Sequence, residues 1–342
     1  MHGYAPGEQV VDCTKLNTNE SCQPPSPAVM AELARVEAEA LRLYPQPRAI
    51  DLRRAAAARY GLEPEWILAG NGSDDCLTVL YRAFLAPGDR VTCPWPSYGL
   101  YDDLATLQGA EIVHVDYRRE ADDWHLPRHL AKQAAKLVIV ANPNNPSATL
   151  TPVDELRQLA HELDGVLVVD EAYVDFTEAE LGQGSILPFL DRHPNVVVLR
   201  SFSKSYAMAG ARLGLLFAHP DLVAQLMKVK DSYNVNAVTQ RLGIAALADR
   251  DYHQQLCRRT VAERLRLEGL LSARCGWTWP QSRANFTLCQ VGPQAGELYL
   301  ALKARGLLVR WWDRPALRDF LRITVGTPEQ TDRLMAALTE LT

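Results

Sequence analysis

Short apolar runs rich in valine, isoleucine and leucine recur along residues 66–217, and segments with helical periodicity lie between them. This alternation is typical of a parallel sheet wrapped by helices. Seven runs have the length of a strand, namely Trp66–Ala69, Arg90–Cys93, Glu111–Val115, Leu137–Ala141, Val166–Val169, Asn195–Leu199 and Leu213–Phe217. We therefore predict an α/β fold whose large domain holds one mostly parallel, seven-stranded sheet between helices.

The two ends of the chain follow other patterns. Residues 1–27 contain prolines, asparagines and cysteines with little periodicity, which predicts an arm lying on other structure. Beyond Ala237 a helix is predicted to about Ala273, followed by short strands near Trp277–Trp279 and Phe286–Gln290 that alternate with helices. We expect an arm with the first helix at residues 1–44, packing on the small domain or on a partner subunit. A large domain at residues 45–245 and a small α+β domain at residues 246–342 complete the chain.

Composition narrows the function classes. The net charge is −5 and the 36 basic residues are scattered, so we expect no nucleic-acid partner. No stretch of about 18 apolar residues is present and the start lacks a basic segment followed by an apolar one, so we expect no membrane partner and a cytoplasmic location. Seven cysteines without paired spacing fit a reducing compartment and predict neither a disulfide framework nor a metal site.

Polar residues directly follow four of the predicted strands, where open α/β sheets bind ligands. They are the segments 70–75, 142–147, 170–173 and 200–206. In the first segment, Gly70 and Gly72 permit a tight turn, and the next residues open a helix with free backbone amides, which suits a phosphate. A plain helix N-cap explains this segment about equally well, and a rigid proline turn is the alternative for residues 142–147.

The other two segments carry charges. Asp170 ends a strand inside a mostly apolar sheet, which is costly unless its carboxylate meets a cation. Lys204 follows the next strand among small hydroxyl residues, although a single lysine is ordinarily solvated, and Arg212 lies eight residues further on. A lysine, an acid, an amide, a tyrosine, an arginine and a phosphate site are the set that pyridoxal 5'-phosphate uses. Its aldehyde needs a lysine, its pyridine nitrogen an acid, and its phosphate amides, hydroxyls and a guanidinium group.

These segments also carry a family resemblance. The stretches 70–74, 142–146, 170–173 and 201–204 recur in this order in the class II pyridoxal-phosphate-dependent aminotransferases, which have fold type I. Residues 15–20, 25–27 and 321–327 extend the resemblance along nearly the whole chain and make it similar to the histidinol-phosphate aminotransferases. The resemblance implies transamination between L-histidinol phosphate and 2-oxoglutarate, giving imidazole acetol phosphate and glutamate.

The resemblance also implies a role for each cofactor-facing residue. Lys204 would tether the cofactor and then carry a proton, and Asp170 would pair with the pyridine nitrogen. Asn145 and Tyr173 would bind the 3-oxygen of the ring, and Tyr98 would stack on it. The phosphate would be held by Gly72, Ser73, Asp74, Ser201, Ser203 and Arg212.

Further residues are implied for the substrate and for a second subunit. Arg322 resembles the family's carboxylate clamp, with a strand-end salt bridge as the alternative. Arg310, Tyr4 and Asn19 are the other substrate candidates. Tyr44 matches a tyrosine that the family inserts into the neighbouring subunit's site, which implies a homodimer with shared active sites.

The sequence departs from the family pattern in places. Ser21-Cys22 stands where asparagine and proline are usual, and Asp75 and Ser147-Ala148 replace other common residues. These departures concern the arm and the substrate more than the cofactor. Threonine-phosphate decarboxylases and aromatic amino acid aminotransferases of the same family would keep Lys204 and Asp170 as well. A non-catalytic binding protein with this fold is the alternative of another class, but such regulators carry an added DNA-binding domain, for which we find no segment.

Overall fold

The computed structural model describes residues 7–120 and 123–341. Its strands are β1 (Thr14–Lys15), β2 (Ile67–Gly70), β3 (Arg90–Trp95), β4 (Glu111–Asp116), β5 (Arg118–Glu120), β6 (Asp123–His125), β7 (Leu137–Ala141), β8 (Val166–Asp170), β9 (Val196–Ser201), β10 (Gly214–Ala218), β11 (Phe286–Gln290), β12 (Leu307–Leu308) and β13 (Phe320–Thr324). Its α-helices are α1 (Pro27–Ala34), α2 (Ala38–Arg42), α3 (Ile50–Tyr60), α4 (Ser73–Phe84), α5 (Leu100–Gln108), α6 (Val153–Glu162), α7 (Val174–Leu181), α8 (Pro220–Val229), α9 (Ala237–Ala248), α10 (Arg250–Cys275), α11 (Ala295–Ala304) and α12 (Pro328–Leu341). The substrate candidate Tyr4 lies outside the described residues.

A central sheet of seven strands runs in the order β2-β10-β9-β8-β7-β3-β4. Strand β10 is antiparallel to both of its neighbours, and the other pairs are parallel. Alternate residues of β7 enter two different apolar clusters, with Val138 and Val140 in one and Leu137 and Ile139 in the other. Helices therefore cover both faces of the sheet, and this explains why its strands are continuous apolar runs. The predicted sheet is confirmed, with both ends of β7 as predicted and the other strands displaced by at most two residues at either end.

Two local predictions are wrong. The helix predicted from Ala237 to Ala273 is two helices, because the chain breaks at Asp249, whose side chain accepts a hydrogen bond from the amide of Tyr252 at the start of α10. The strand predicted at residues 277–279 is a single bridge between Thr278 and Gln290. None of the described helices combines the length and apolar character of a membrane span.

The described part of the arm packs on the C-terminal third of the chain. Strand β1 pairs in parallel with β12, and the Leu16 side chain is buried in the apolar cluster formed by α11, α12 and their neighbours. The amide of Asn19 donates to Thr324 Oγ1 at 3.0 Å. Helix α1 instead packs on α9, where Glu32 pairs with Arg241 at 2.6 Å. Residues 17–20 are thereby held at the edge of the large sheet.

Candidate active site

A cavity of about 810 Å³ opens where β3, β7, β8 and β9 end. Parallel strands place their carboxyl ends at one edge of a sheet, so side chains distant in sequence meet there. Thirteen of the predicted site residues line this cavity: Asn19, Ser73, Asp74, Tyr98, Asn145, Asp170, Tyr173, Ser201, Ser203, Lys204, Arg212, Arg310 and Arg322. The structure therefore brings these thirteen residues together in one cavity.

Lys204 lies in a turn that begins after β9. Two backbone hydrogen bonds close the turn, from Phe202 N to Leu213 O and from Met208 N to Phe202 O, both at 3.0 Å. The Lys204 Nζ donates to the carbonyl oxygen of Thr18 at 3.1 Å. Burial lowers the pKa of Lys204 to about 8, and the nearby charge of Arg322 acts in the same direction. A larger share of this amine is thus neutral at physiological pH than in an exposed lysine, as a nucleophilic amine requires.

Asp170 ends β8 on the neighbouring strand and is buried. The Tyr101 hydroxyl donates to Oδ2 of Asp170 at 2.8 Å, and the amide of Ala172 donates to Oδ1 at 3.2 Å. Burial raises the pKa of Asp170 to about 6, although the hydrogen bond from Tyr101 acts in the opposite direction. Both donors are neutral, so the carboxylate would gain most from a cationic group in the cavity.

Donors suited to an anion converge beside these two residues. Helix α4 begins at Ser73, and its N-cap residue is Gly72, which has no side chain to occupy the first amides. Arg212 donates from one terminal nitrogen to Asp74 Oδ2 at 3.0 Å and from the other to Ser203 Oγ at 3.4 Å. Helix amides, a guanidinium group and a hydroxyl together make an anion site, which favours the phosphate interpretation of this segment over the plain N-cap.

Two positions near the anion site must be glycine, because neighbouring groups lie too close to leave room for a side chain. A Cβ atom on Gly72 would lie 2.5 Å from a terminal nitrogen of Arg212, and φ at this glycine is +87°. A Cβ atom on Gly214 of β10 would lie 2.3 Å from the amide nitrogen of Ser73. Larger residues at either position would displace the guanidinium group or the first turn of α4.

Two arginines approach the cavity from the C-terminal part of the chain. Arg310 and Arg322 exchange both backbone hydrogen bonds at 2.9 Å, and each guanidinium group lies 5.3 Å from the ring of Trp312. Arg322 also donates to Asn145 Oδ1 at 2.5 Å and to the carbonyl oxygen of Asn17 at 2.6 Å. Arg310 and Arg322 both line the cavity, so they place two guanidinium groups where an anionic substrate group could bind.

Comparison with known proteins agrees with this geometry. The family model "Aminotransferase class I and II" matches residues 11–338. The chain belongs to the class I and II aminotransferases. It is 41% identical to histidinol-phosphate aminotransferase 1 of Nostoc sp., over 100% of this chain and 96% of that relative. It is also 40% identical to the histidinol-phosphate aminotransferase of Rhodopirellula baltica, over 98% of this chain and 92% of that relative.

A solved structure of this aminotransferase family shares the fold. The histidinol-phosphate aminotransferase of Sinorhizobium meliloti, in complex with pyridoxal-5'-phosphate, superposes with a TM-score of 0.87 at 27% identity. The alignment covers 96% of this chain and 90% of that one. The prediction of a fold type I aminotransferase is thereby confirmed.

Predicted residue Tyr44 lies apart from the cavity. Its side chain is 82% exposed and stacks on Tyr233 of the same chain, with ring centroids 4.4 Å apart. An aminotransferase residue that serves a neighbouring subunit would have to be exposed in the isolated chain. Its role in a second subunit stays a prediction.

Sequence reasoning missed several residues of the site. Tyr101, which donates a hydrogen bond to Asp170, lies in the first turn of α5 and has no sequence signal beyond an aromatic residue in an amphipathic helix. Trp312 and Trp95 line the cavity but follow no predicted motif. Thr18 contributes a backbone carbonyl, which any residue type could supply.

The raised pKa of Asp170 predicts a pH-dependent stability effect. A folded-state pKa near 6 lies above the ordinary value of 3.8. The resulting stability is therefore fully present below about pH 4 and is lost as the pH rises through 6. We expect Asp170→Asn to raise the free energy of unfolding of the cofactor-free protein by about 3 kcal/mol at pH 8 and to leave it nearly unchanged at pH 4. Urea unfolding of both proteins at pH 4 and pH 8 measures the difference in the free energy of unfolding. A variant with the same stability as wild type at pH 8 would contradict the prediction.

Proposed function

We propose that this chain is a pyridoxal-phosphate-dependent aminotransferase that converts L-histidinol phosphate and 2-oxoglutarate into imidazole acetol phosphate and L-glutamate. One observation carries the proposal. Asp170, whose pKa is raised, ends β8, and Lys204, whose pKa is lowered, lies in the turn after the adjacent strand β9; both line one cavity beside an anion site. Such opposed shifts in one cleft are typical of catalytic groups.

The described residues fit pyridoxal phosphate. Arg212, Ser203 and the first amides of α4 suit its phosphate, and Gly72 leaves the room that a Cβ atom would fill. Asp170 is a buried carboxylate with neutral donors, which suits a protonated pyridine nitrogen. Tyr98 lines the same cavity and would stack on the ring, while Asn145 and Tyr173 would bind its 3-oxygen. When bound, the cofactor supplies an electron sink for the negative charge that develops at the substrate's α-carbon.

Lys204 and Asp170 would then have separate roles in the reaction. Lys204 would bind the cofactor's aldehyde carbon until the amino donor replaces it, and its freed Nζ would take the proton from the substrate's α-carbon. Asp170 would keep the ring nitrogen protonated through its negative charge. Tyr173 now accepts a hydrogen bond from Asn19 Nδ2 at 3.0 Å, so the arm and the ring-binding residues are linked.

Arg322 and Arg310 support an anionic substrate. The two arginines are cross-strand partners in an antiparallel bridge and both line the cavity, and guanidinium groups suit two-point binding of carboxylates and phosphates. L-histidinol phosphate carries a phosphate and 2-oxoglutarate carries two carboxylates, so both substrates offer such an anion. Relatives 40–41% identical along nearly the whole chain are named for histidinol phosphate, which supports this donor.

We further propose a homodimer, a cytoplasmic location and the domain division at residues 1–44, 45–245 and 246–342. The exposed Tyr44, beside exposed Leu41 and Leu43, supports contact with a second copy. All seven cysteines, each among the described residues, are free thiols, which fits a reducing compartment. The break between α9 and α10 at Asp249 and the separate apolar cluster of the C-terminal part support the second boundary.

The donor can be tested with purified protein supplied with pyridoxal phosphate. L-histidinol phosphate, L-glutamate, L-phenylalanine and O-phospho-L-threonine are added separately, and the visible absorbance of the lysine-bound cofactor is followed. We expect loss of this band with L-histidinol phosphate and with L-glutamate, and its return with 2-oxoglutarate. Release of carbon dioxide from O-phospho-L-threonine would overturn the proposed substrate. Failure to form any visible band would overturn the proposed cofactor.

A further inference from the structure

Asp175 is a buried carboxylate outside the cavity that contacts the turn carrying Lys204. It lies in the first turn of α7, two residues after Tyr173, and is 8% exposed. Its Oδ2 accepts a hydrogen bond from Ser205 Oγ at 2.5 Å, and its Oδ1 accepts one from Arg200 at 2.7 Å. Arg200 belongs to β9, so the chain on both sides of Lys204 is bonded to one carboxylate.

The carboxylate is charged in the folded protein. Burial acts to raise the pKa of Asp175, but the Arg200 guanidinium and the donors around it hold that pKa well below its usual range. Ser205 is fully buried, so its hydroxyl has exchanged water for this charged acceptor. Hydrogen bonds to charged acceptors are about twice as strong as neutral ones. The bond from Ser205 is thus a strong local restraint.

Aromatic packing restrains the next residue of the same turn. Tyr206 stacks between Phe202 and His253, with ring centroids 4.4 Å and 4.0 Å away. His253 belongs to α10, and its Nε2 lies 3.7 Å from Asp175 Oδ2. The stacking fixes the turn on one side, and the Ser205 bond fixes it directly after the lysine.

We infer that Ser205 is a positioning residue, whose hydrogen bond to Asp175 holds the Lys204 turn so that the amine enters the cavity at a fixed place. The consequence for catalysis rests on the proposed function, whereas the restraint on Lys204 does not. The amine nitrogen must lie within a few tenths of an ångström of its productive position relative to the atom it reacts with. A misplacement of about 1 Å lowers the rate up to about a hundredfold. A looser turn would therefore lower turnover more than substrate binding.

The chain offers a matched control in Ser185. Its hydroxyl donates at 2.6 Å to Glu171, another buried carboxylate, and Glu171 pairs with the same Arg200 at 2.9 Å. Ser185 is 6% exposed and is distant in sequence from the Lys204 turn. Ser185→Ala and Ser205→Ala therefore delete the same chemical group from the same ionic cluster, and only the second touches the lysine's turn.

Two measurements test the inference. In the cofactor-free protein, a reagent that acylates amines is added, and peptide mass spectrometry follows the rate at which Lys204 is modified. We expect Ser205→Ala to raise this rate about fivefold, the factor that one lost hydrogen bond gives, and Ser185→Ala to leave it within about twofold of wild type. In the holoenzyme with L-histidinol phosphate and 2-oxoglutarate, we expect Ser205→Ala to lower kcat about tenfold, with KM changed less than about twofold.

Ser205→Cys keeps a weaker donor in nearly the same volume, and it should fall between wild type and Ser205→Ala in both measurements. It also serves if Ser205→Ala does not fold, and urea unfolding of all variants shows which ones do. Equal modification rates in Ser205→Ala and Ser185→Ala would overturn the inference. A wild-type protein that shows the expected modification pattern but no turnover would instead overturn the proposed function.

Discussion

Lys204→Ala is expected to lower the rate of amino transfer at least about a thousandfold, because in the proposed mechanism this amine moves the proton at the α-carbon. The protein should still fold, since the Lys204 side chain is only half-buried and the substitution removes a hydrogen bond to the carbonyl oxygen of Thr18. Steady-state kinetics with L-histidinol phosphate and 2-oxoglutarate measures the loss, and circular dichroism checks the fold.

Measuring how much cofactor the Lys204→Ala variant still binds distinguishes the loss of cofactor binding from the loss of turnover. Arg212, Ser203 and the amides at the start of α4 remain, so equilibrium dialysis should find pyridoxal phosphate bound more weakly but still bound. The control is Lys136→Ala, which removes a lysine paired with Asp89 at 2.6 Å on the surface. Its turnover should match wild type. A Lys204→Ala protein that keeps more than about a tenth of wild-type turnover would show that another group moves the proton.

Asp170→Asn is expected to lower turnover about a hundredfold to a thousandfold, the range found when one preorganised electrostatic contact is removed from an active site. Asparagine has nearly the same size. Its Oδ1 can accept from the Ala172 amide and its Nδ2 can donate to the Tyr101 hydroxyl, so the change removes the charge while both contacts can be kept. In the proposed mechanism this charge keeps the cofactor's ring nitrogen protonated, so its loss should weaken the electron sink. Turnover at pH 8, compared with urea unfolding of the same samples, measures the effect.

The same substitution should make the cofactor-free protein more stable at pH 8, so lost turnover cannot be attributed to unfolding. Glu268→Gln is the matched control, because burial also raises the pKa of Glu268 to about 7 and this residue does not line the cavity. We expect Glu268→Gln to keep turnover within about twofold of wild type. Asp170→Asn with wild-type turnover would remove Asp170 from the proposed mechanism.

The sequence by itself determined the central sheet and the edge of that sheet at which the functional side chains lie. Strands β7, β8 and β9 are buried on both faces by helices, so their apolar runs are continuous and visible without any contact information. Polar residues begin where each run ends, because the carboxyl ends of parallel strands leave the core at one edge. Asp170 and Lys204 could therefore be assigned to one site before any distance was known.

Only the tertiary structure decided what each group contacts. Tyr101 meets Asp170 from 69 positions away, and Arg322 reaches Asn145 across 177 positions. Ser205 donates a hydrogen bond to a carboxylate in helix α7, although its sequence position marks it only as a neighbour of the lysine. These contacts depend on how α5, α7 and the C-terminal strands pack on the sheet. Periodicity along the chain reports which face of an element is buried, but it carries no information about which distant side chain will meet that face.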